Sequence, residues 1–138
     1  MALNLDSLIK SIAVLRRSLK VAEANMDISD DDMKDTIRSG VIQNFEVAYE
    51  QCWKMMKRWL KMNISSMTAE GVTRRELFRL AAENRLIDDV EQWMRYHEAR
   101  NQTSHIYEPE IAESVYAAAH GFAGDASRLL EALEAHND

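Results

Sequence analysis

The chain has 138 residues, 46% hydrophobic and 29% charged, which is the size and balance of one folded domain and excludes a disordered chain. Four glycines and one proline are too few turn residues for a strand-rich fold and point to a few long helices with short links. A formal net charge of −6 excludes a broad electrostatic footprint on RNA or DNA, so nucleic acid would have to be met at a small local site; an acidic surface equally suits a basic protein partner.

No apolar run approaches the length that crosses a bilayer. Residues 1–10 carry an acidic residue and no apolar block before a cleavage site, so no secretory signal is expected there. The single cysteine, Cys52, cannot form an internal disulfide and suits a reducing interior. A cytoplasmic protein without membrane association is expected, with residues 1–138 as a single helical-bundle domain.

Periodicity places five helices. The first covers residues 4–24, with Asn4 as N-cap and an apolar stripe of Leu5, Leu8, Ile12, Leu15 and Leu19. The second opens on the acidic capping run Ser29-Asp30-Asp31-Asp32 and continues to residue 63. It carries two stripes, Val41/Phe45/Ala48/Cys52/Met55/Trp59 and Ile42/Tyr49/Trp53/Met56/Leu60, an arc wide enough to need cover on more than one side. This is the central helix, and a second subunit is one candidate for part of that cover. The third, short helix starts at the capping box Thr73-Arg74-Arg75-Glu76 and turns Leu77, Leu80 and Ala81 inward. The fourth runs over residues 88–101 or slightly further and buries Val90, Trp93 and Met94. Pro109 suits the first turn of the fifth helix, whose Ile111, Val115, Ala118, Phe122, Leu129 and Leu133 face inward; Gly121 and Gly124 would permit a close helix approach. The expected fold is all-α, an antiparallel up-and-down bundle of four long helices plus one short helix.

Chemistry is concentrated in the stretch Arg100-Asn101-Gln102-Thr103-Ser104-His105-Ile106-Tyr107. If α-helix persisted through it, Arg100, Ser104 and Tyr107 would share one face, with Asn101 and His105 on the next. Arginine's planar fork matches phosphate oxygens, and a histidine moves a proton near neutral pH. Such a set suffices for metal-free RNA cleavage by attack of the 2′-hydroxyl, and equally for binding a nucleotide phosphate. It also suits capping of a helix end and pairing with neighbouring carboxylates.

The pattern Arg100-Asn101-x-x-x-His105-x-Tyr107 resembles the Arg-x4-His-x-Tyr signature of the HEPN superfamily of small helical bundles. The segment Gly40-Val41-Ile42-Gln43-Asn44-Phe45-Glu46-Val47-Ala48-Tyr49-Glu50-Gln51-Cys52-Trp53-Lys54 is similar to that of its nucleotidyltransferase substrate-binding-like branch. Thr73-Arg74-Arg75-Glu76, Leu86-Ile87-Asp88-Asp89 and Trp93 follow in the same order. The resemblance implies a ribonuclease toxin in a toxin–antitoxin pair with a minimal nucleotidyltransferase antitoxin, or a non-catalytic nucleotide-binding subunit of that transferase. It implies Arg100 and His105 as catalytic residues, Asn101 and Ser104 on the substrate phosphate, and Tyr107 as a target for adenylylation whose added phosphate would pair with Arg100. It also implies a homodimer and RNA as substrate.

The remaining residues read more plainly. Glu46 and Gln43, set in an apolar helix, need polar partners; structural, dimer-forming and site-lining roles are all open to them, and the structural one is preferred. His97 lies eight residues from His105, about 12 Å along a helix axis, so the two could not share a metal. No Cys/His cluster or phosphate-binding glycine loop is present, and neither a metal nor a cofactor is expected.

Overall fold

The computed structural model describes residues 2–25, 27–67 and 69–137. Its elements are α1 (Asp6–Ala24), α2 (Asp31–Asn63), α3 (Arg74–Glu83), α4 (Val90–Asn101), a 3₁₀ turn (Gln102–His105) and α5 (Pro109–Ala135). The fold is all-α, and no strand occurs among the described residues.

The helix starts follow the side chains that satisfy their free N–H groups. Asp30 accepts from the N–H groups of Asp32 and Met33 at 3.0 and 3.2 Å, Thr73 from Glu76 at 3.2 Å, and Asp89 from Gln92 at 3.1 Å. At α1 the cap position falls on Leu5, one residue later than Asn4, yet Asn4 Oδ1 still accepts from the Asp6 N–H at 3.0 Å. α3 ends in a Schellman motif: Leu86 N–H donates to Ala81 O and Arg85 N–H to Ala82 O, with Arg85 in the left-handed region at φ 62°. Leu86, thus turned back, is buried.

α2 spans about 50 Å at 1.5 Å per residue and packs most extensively on α1, then on α5. Both of its stripes are covered by the chain itself. Every member is buried except Trp53, which is half-buried. The width of its apolar arc therefore no longer calls for a second subunit. α3 packs on α4, and α4 on α5.

Phe122 of α5 is where these layers meet. Its ring centroid lies 5.1 Å from Phe45, 6.2 Å from Tyr49, 5.6 Å from Trp93 and 5.1 Å from Tyr96, largely edge to face. Phe78 extends the cluster through Trp93. Gly121 and Gly124 do not serve a close helix approach. A Cβ at Gly121 would find only the Tyr96 hydroxyl, at an ordinary 3.6 Å, and one at Gly124 only the Arg128 side chain. No described helix is long and apolar enough to cross a membrane.

Phe122→Ala removes a ring shared by α2, α4 and α5 and leaves a cavity. A loss of about 3–5 kcal/mol is expected, read as a lower urea midpoint at unchanged slope.

Candidate functional site at the seam of α2 and α4

α-Helix does not persist through the polar stretch. It stops at Asn101, and residues 102–105 wind as a 3₁₀ turn held by Thr103, whose hydroxyl donates to Arg100 O at 2.8 Å. Three residues per turn instead of 3.6 adds about 20° per residue, so His105 is swung roughly 80° from where an α-helix would point it. The shared faces expected from α-helical spacing are broken. Among the described residues no hydrogen bond or ion pair joins Arg100 to Ser104, His105 or Tyr107.

Arg100 turns inward. Its guanidinium lies 3.7 Å from Glu46 Oε2 and 3.3 Å from Glu50 Oε1, and it donates to Thr103 Oγ1 at 3.2 Å. Arg100, Glu46 and Glu50 each keep about a third of their side chain exposed. The Arg100 Nε–H is buried, yet it is not aligned on the nearby carboxylate and has no hydrogen-bond partner. The carboxylate pairing read as one option for Arg100 is thus realised. Glu46, read as structural, supplies part of it.

His105, Ser104 and Tyr107 face outward. All three are exposed, Tyr107 at 77%, and the His105 and Tyr107 rings lie edge to face at 6.2 Å. Beside Tyr107 is a cavity of about 300 Å³ lined by Arg38, Ser39, Ile42 and Ile106 among others. Arg38 is its cation, and Arg100 does not line it. The expected pairing of Arg100 with a phosphate on Tyr107 therefore loses its geometric basis, because Arg100 is held on α2 by two carboxylates.

The structure adds residues that periodicity did not assign to the site. His97 Nδ1 lies 2.8 Å from the Tyr49 hydroxyl, and its Nε2 lies 3.4 Å from the Asn101 carboxamide nitrogen. Arg74 of α3 donates to the Tyr49 oxygen at 3.2 Å and stacks on Trp53 at 3.8 Å from the ring centroid. Trp53 in turn donates through its indole N–H to Glu50. Glu46, Glu50 and Trp53 recur at three and four residues along α2, so one face of that helix carries the carboxylates. That spacing was visible in the sequence; its meeting with His97 was not. Burial pushes the Tyr49 phenol well above its ordinary value, and it stays protonated. Burial, reinforced by the Arg74 charge, holds His97 below the ordinary imidazole value, against the opposing pull of Glu50. Among the described residues no three His, Cys, Asp or Glu side chains are grouped to hold a metal ion.

The five-helix bundle thus carries a polar cluster on the α2–α4 seam, followed by an exposed His-x-Tyr. The chain belongs to the family described as nucleotidyltransferase substrate binding protein like, which residues 3–135 match. It is 36% identical over 140 residues to a Haemophilus influenzae protein named probable ribonuclease HepT, covering 98% of this chain and 94% of that one. Its fold is similar to a Haemophilus influenzae structure described as the fold of a substrate binding domain of a nucleotidyltransferase. That likeness has a TM-score of 0.88 at 34% identity and covers 95% of this chain and 99% of the other. A Thermus thermophilus structure with a TM-score of 0.64 and 21% identity, covering 86% of this chain and 98% of that one, shares the fold.

Because His97 titrates below the free imidazole value of about 6.5, the unfolded chain takes up that proton first as pH falls. The neutral ring thus contributes stability that is present above about pH 6.5 and is lost as pH drops towards the folded-state value. Urea midpoints measured from pH 7.5 downward are expected to fall through this window, and His97→Gln to flatten the decline.

Proposed function

We propose that this chain, acting as one HEPN-like domain in the cytoplasm, is a metal-independent endoribonuclease toxin neutralised by a partner minimal nucleotidyltransferase. The observation that carries this reading is the division of the motif. Arg100 is restrained between Glu46 and Glu50, whereas the side chains of His105 and Tyr107 stand in solvent with no hydrogen-bond partner among the described residues. Capping or ion pairing accounts for the arginine and leaves the exposed imidazole and phenol without a structural task. The 36% identity to a protein named probable ribonuclease HepT supports the same reading.

In the proposed reaction His105 accepts the proton of an RNA 2′-hydroxyl, whose oxygen attacks the adjacent phosphorus. The bond to the 5′-oxygen breaks and that oxygen takes up a proton, leaving a 2′,3′-cyclic phosphate and a 5′-hydroxyl. Arg100 stabilises the charge developing on the phosphoryl oxygens, and Asn101 and Ser104 bind them. A homodimer would bring two such motifs to one cleft, and the second His105 would then be available to protonate the leaving oxygen. Tyr107 is the proposed point of control: its exposed hydroxyl is open to adenylylation by the partner, and Arg38, which lines the adjoining cavity together with Asp35, is the cation proposed to meet the added phosphate.

Purified protein should cleave RNA in excess chelator with a cyclic phosphate end. His105→Ala should lower the rate by about 10²–10⁴-fold at unchanged thermal midpoint, and Arg100→Ala by about 10²–10³-fold. Equal inertness of wild type and His105→Ala on diverse RNAs, with no slowing of growth by either, would sink the enzyme reading.

The second reading is a non-catalytic subunit that binds a nucleotide or substrate for the transferase. The family description and the Haemophilus influenzae structure favour it. It expects tight co-purification with the transferase and no toxicity when the chain is expressed alone.

A further inference from the structure

The four groups Arg74, Tyr49, His97 and Asn101 form a chain of polar contacts from α3 through α2 to the last residue of α4. Its direction can be worked out from what each group is able to donate. Arg74 has only N–H donors, so the Tyr49 oxygen accepts from it. Tyr49 is 1% exposed, and its hydroxyl proton needs an acceptor. Among the described residues the remaining group within reach is His97 Nδ1, at 2.8 Å. Were Nδ1 protonated, the Tyr49 oxygen would accept twice and its own O–H would be left buried and unpaired, which is unfavourable.

Nδ1 is therefore the acceptor, and the neutral ring carries its hydrogen on Nε2. The Nε2–H lies at the half-exposed end of the ring, and the protein group facing it is the Asn101 carboxamide, at 3.4 Å. A half-turn exchanges the oxygen and nitrogen of that carboxamide, and among the described residues the exposed Asn101 carboxamide has no other hydrogen bond for the turn to break. Asn101 Oδ1 then faces His97, and its NH2 group points away from the ring, at the residue next to Arg100.

We infer that Tyr49, backed by Arg74, holds His97 in the Nε2–H tautomer, and that His97 thereby orients Asn101 so that its NH2 group is offered to a phosphodiester beside Arg100. Tyr49, His97 and Arg74 are positioning residues; of the four groups in the chain only Asn101 touches the ligand. The outcome is a site that presents hydrogen-bond donors from both adjacent residues, which suits phosphate oxygens because they only accept. This rests on the reading of Arg100 and Asn101 as phosphate-binding.

The test has two arms. Nitrogen-15 correlation spectra of the wild-type imidazoles at neutral pH are expected to show His97 protonated on Nε2 and bare on Nδ1; a ring with hydrogen on Nδ1 would overturn the inference. The second arm measures binding of a 2′-O-methyl RNA, which cannot be cut by its own 2′-oxygen. Tyr49→Phe, which removes the donor to Nδ1 and keeps the ring, should mix the two tautomers and weaken binding about two- to tenfold. On cleavable RNA the same variant should raise KM more than it lowers kcat. A Tyr49→Phe protein with wild-type RNA affinity would show that the chain is structural alone. If the wild type binds no such RNA, the phosphate-binding reading fails, while the tautomer spectrum still decides the direction of the chain.

Discussion

The packing of Phe122 against Phe45, Tyr49, Trp93 and Tyr96 sets the distance between α2, α4 and α5, and the polar seam exists only because that distance is fixed. Tyr49 belongs to both worlds. Its ring is part of the aromatic cluster, and its hydroxyl is the hinge of the contacts that reach Arg74 and His97. Edge-to-face rings tolerate little sliding, since their attraction depends on which part of one ring meets the other. The seam's contacts of about 3 Å thus rest on the apolar packing below them.

Much of the architecture is legible in the residues themselves. The capping runs at Asp30 and Thr73, the stripes of α2 and the Glu108-Pro109 boundary are local signals, read within a turn or two of chain. The core is partly legible: Leu77 and Ala81 stand on a periodic face, whereas Phe78 and Tyr96, both buried, lie off the stripes that periodicity picks out. A tight arrangement of aromatic rings recruits residues from the flanks of a stripe, and only three-dimensional packing shows which flank.

The site is less legible, for two separate reasons. One is local: the change from α to 3₁₀ winding at Gln102 carries no strong sequence mark, yet it redirects Ser104, His105 and Tyr107 together. The other is distance along the chain. His97 and Tyr49 are 48 residues apart and Arg74 and Tyr49 are 25 apart, so their contact depends on which helix faces meet. Periodicity gives faces and is silent on how they are matched. Arg74 shows the difference well, being part of a capping segment by sequence and a lid on Trp53 in space.

The two carboxylates beside Arg100 change what anion recognition means at this surface. An arginine in open water is matched by a loose ion atmosphere, which any arriving anion displaces with ease. Here the counter-charges are Glu46 and Glu50, fixed by the fold and themselves a third exposed. Under the proposed function, anion uptake at Arg100 would be an ion exchange, in which the incoming group must outcompete carboxylates already in place. Chloride, with one diffuse charge and no geometry, is a poor contender. A phosphodiester brings two oxygens in the spacing of the guanidinium fork. The buried Arg100 Nε–H, left unaligned by its carboxylate, has no hydrogen-bond partner in this arrangement.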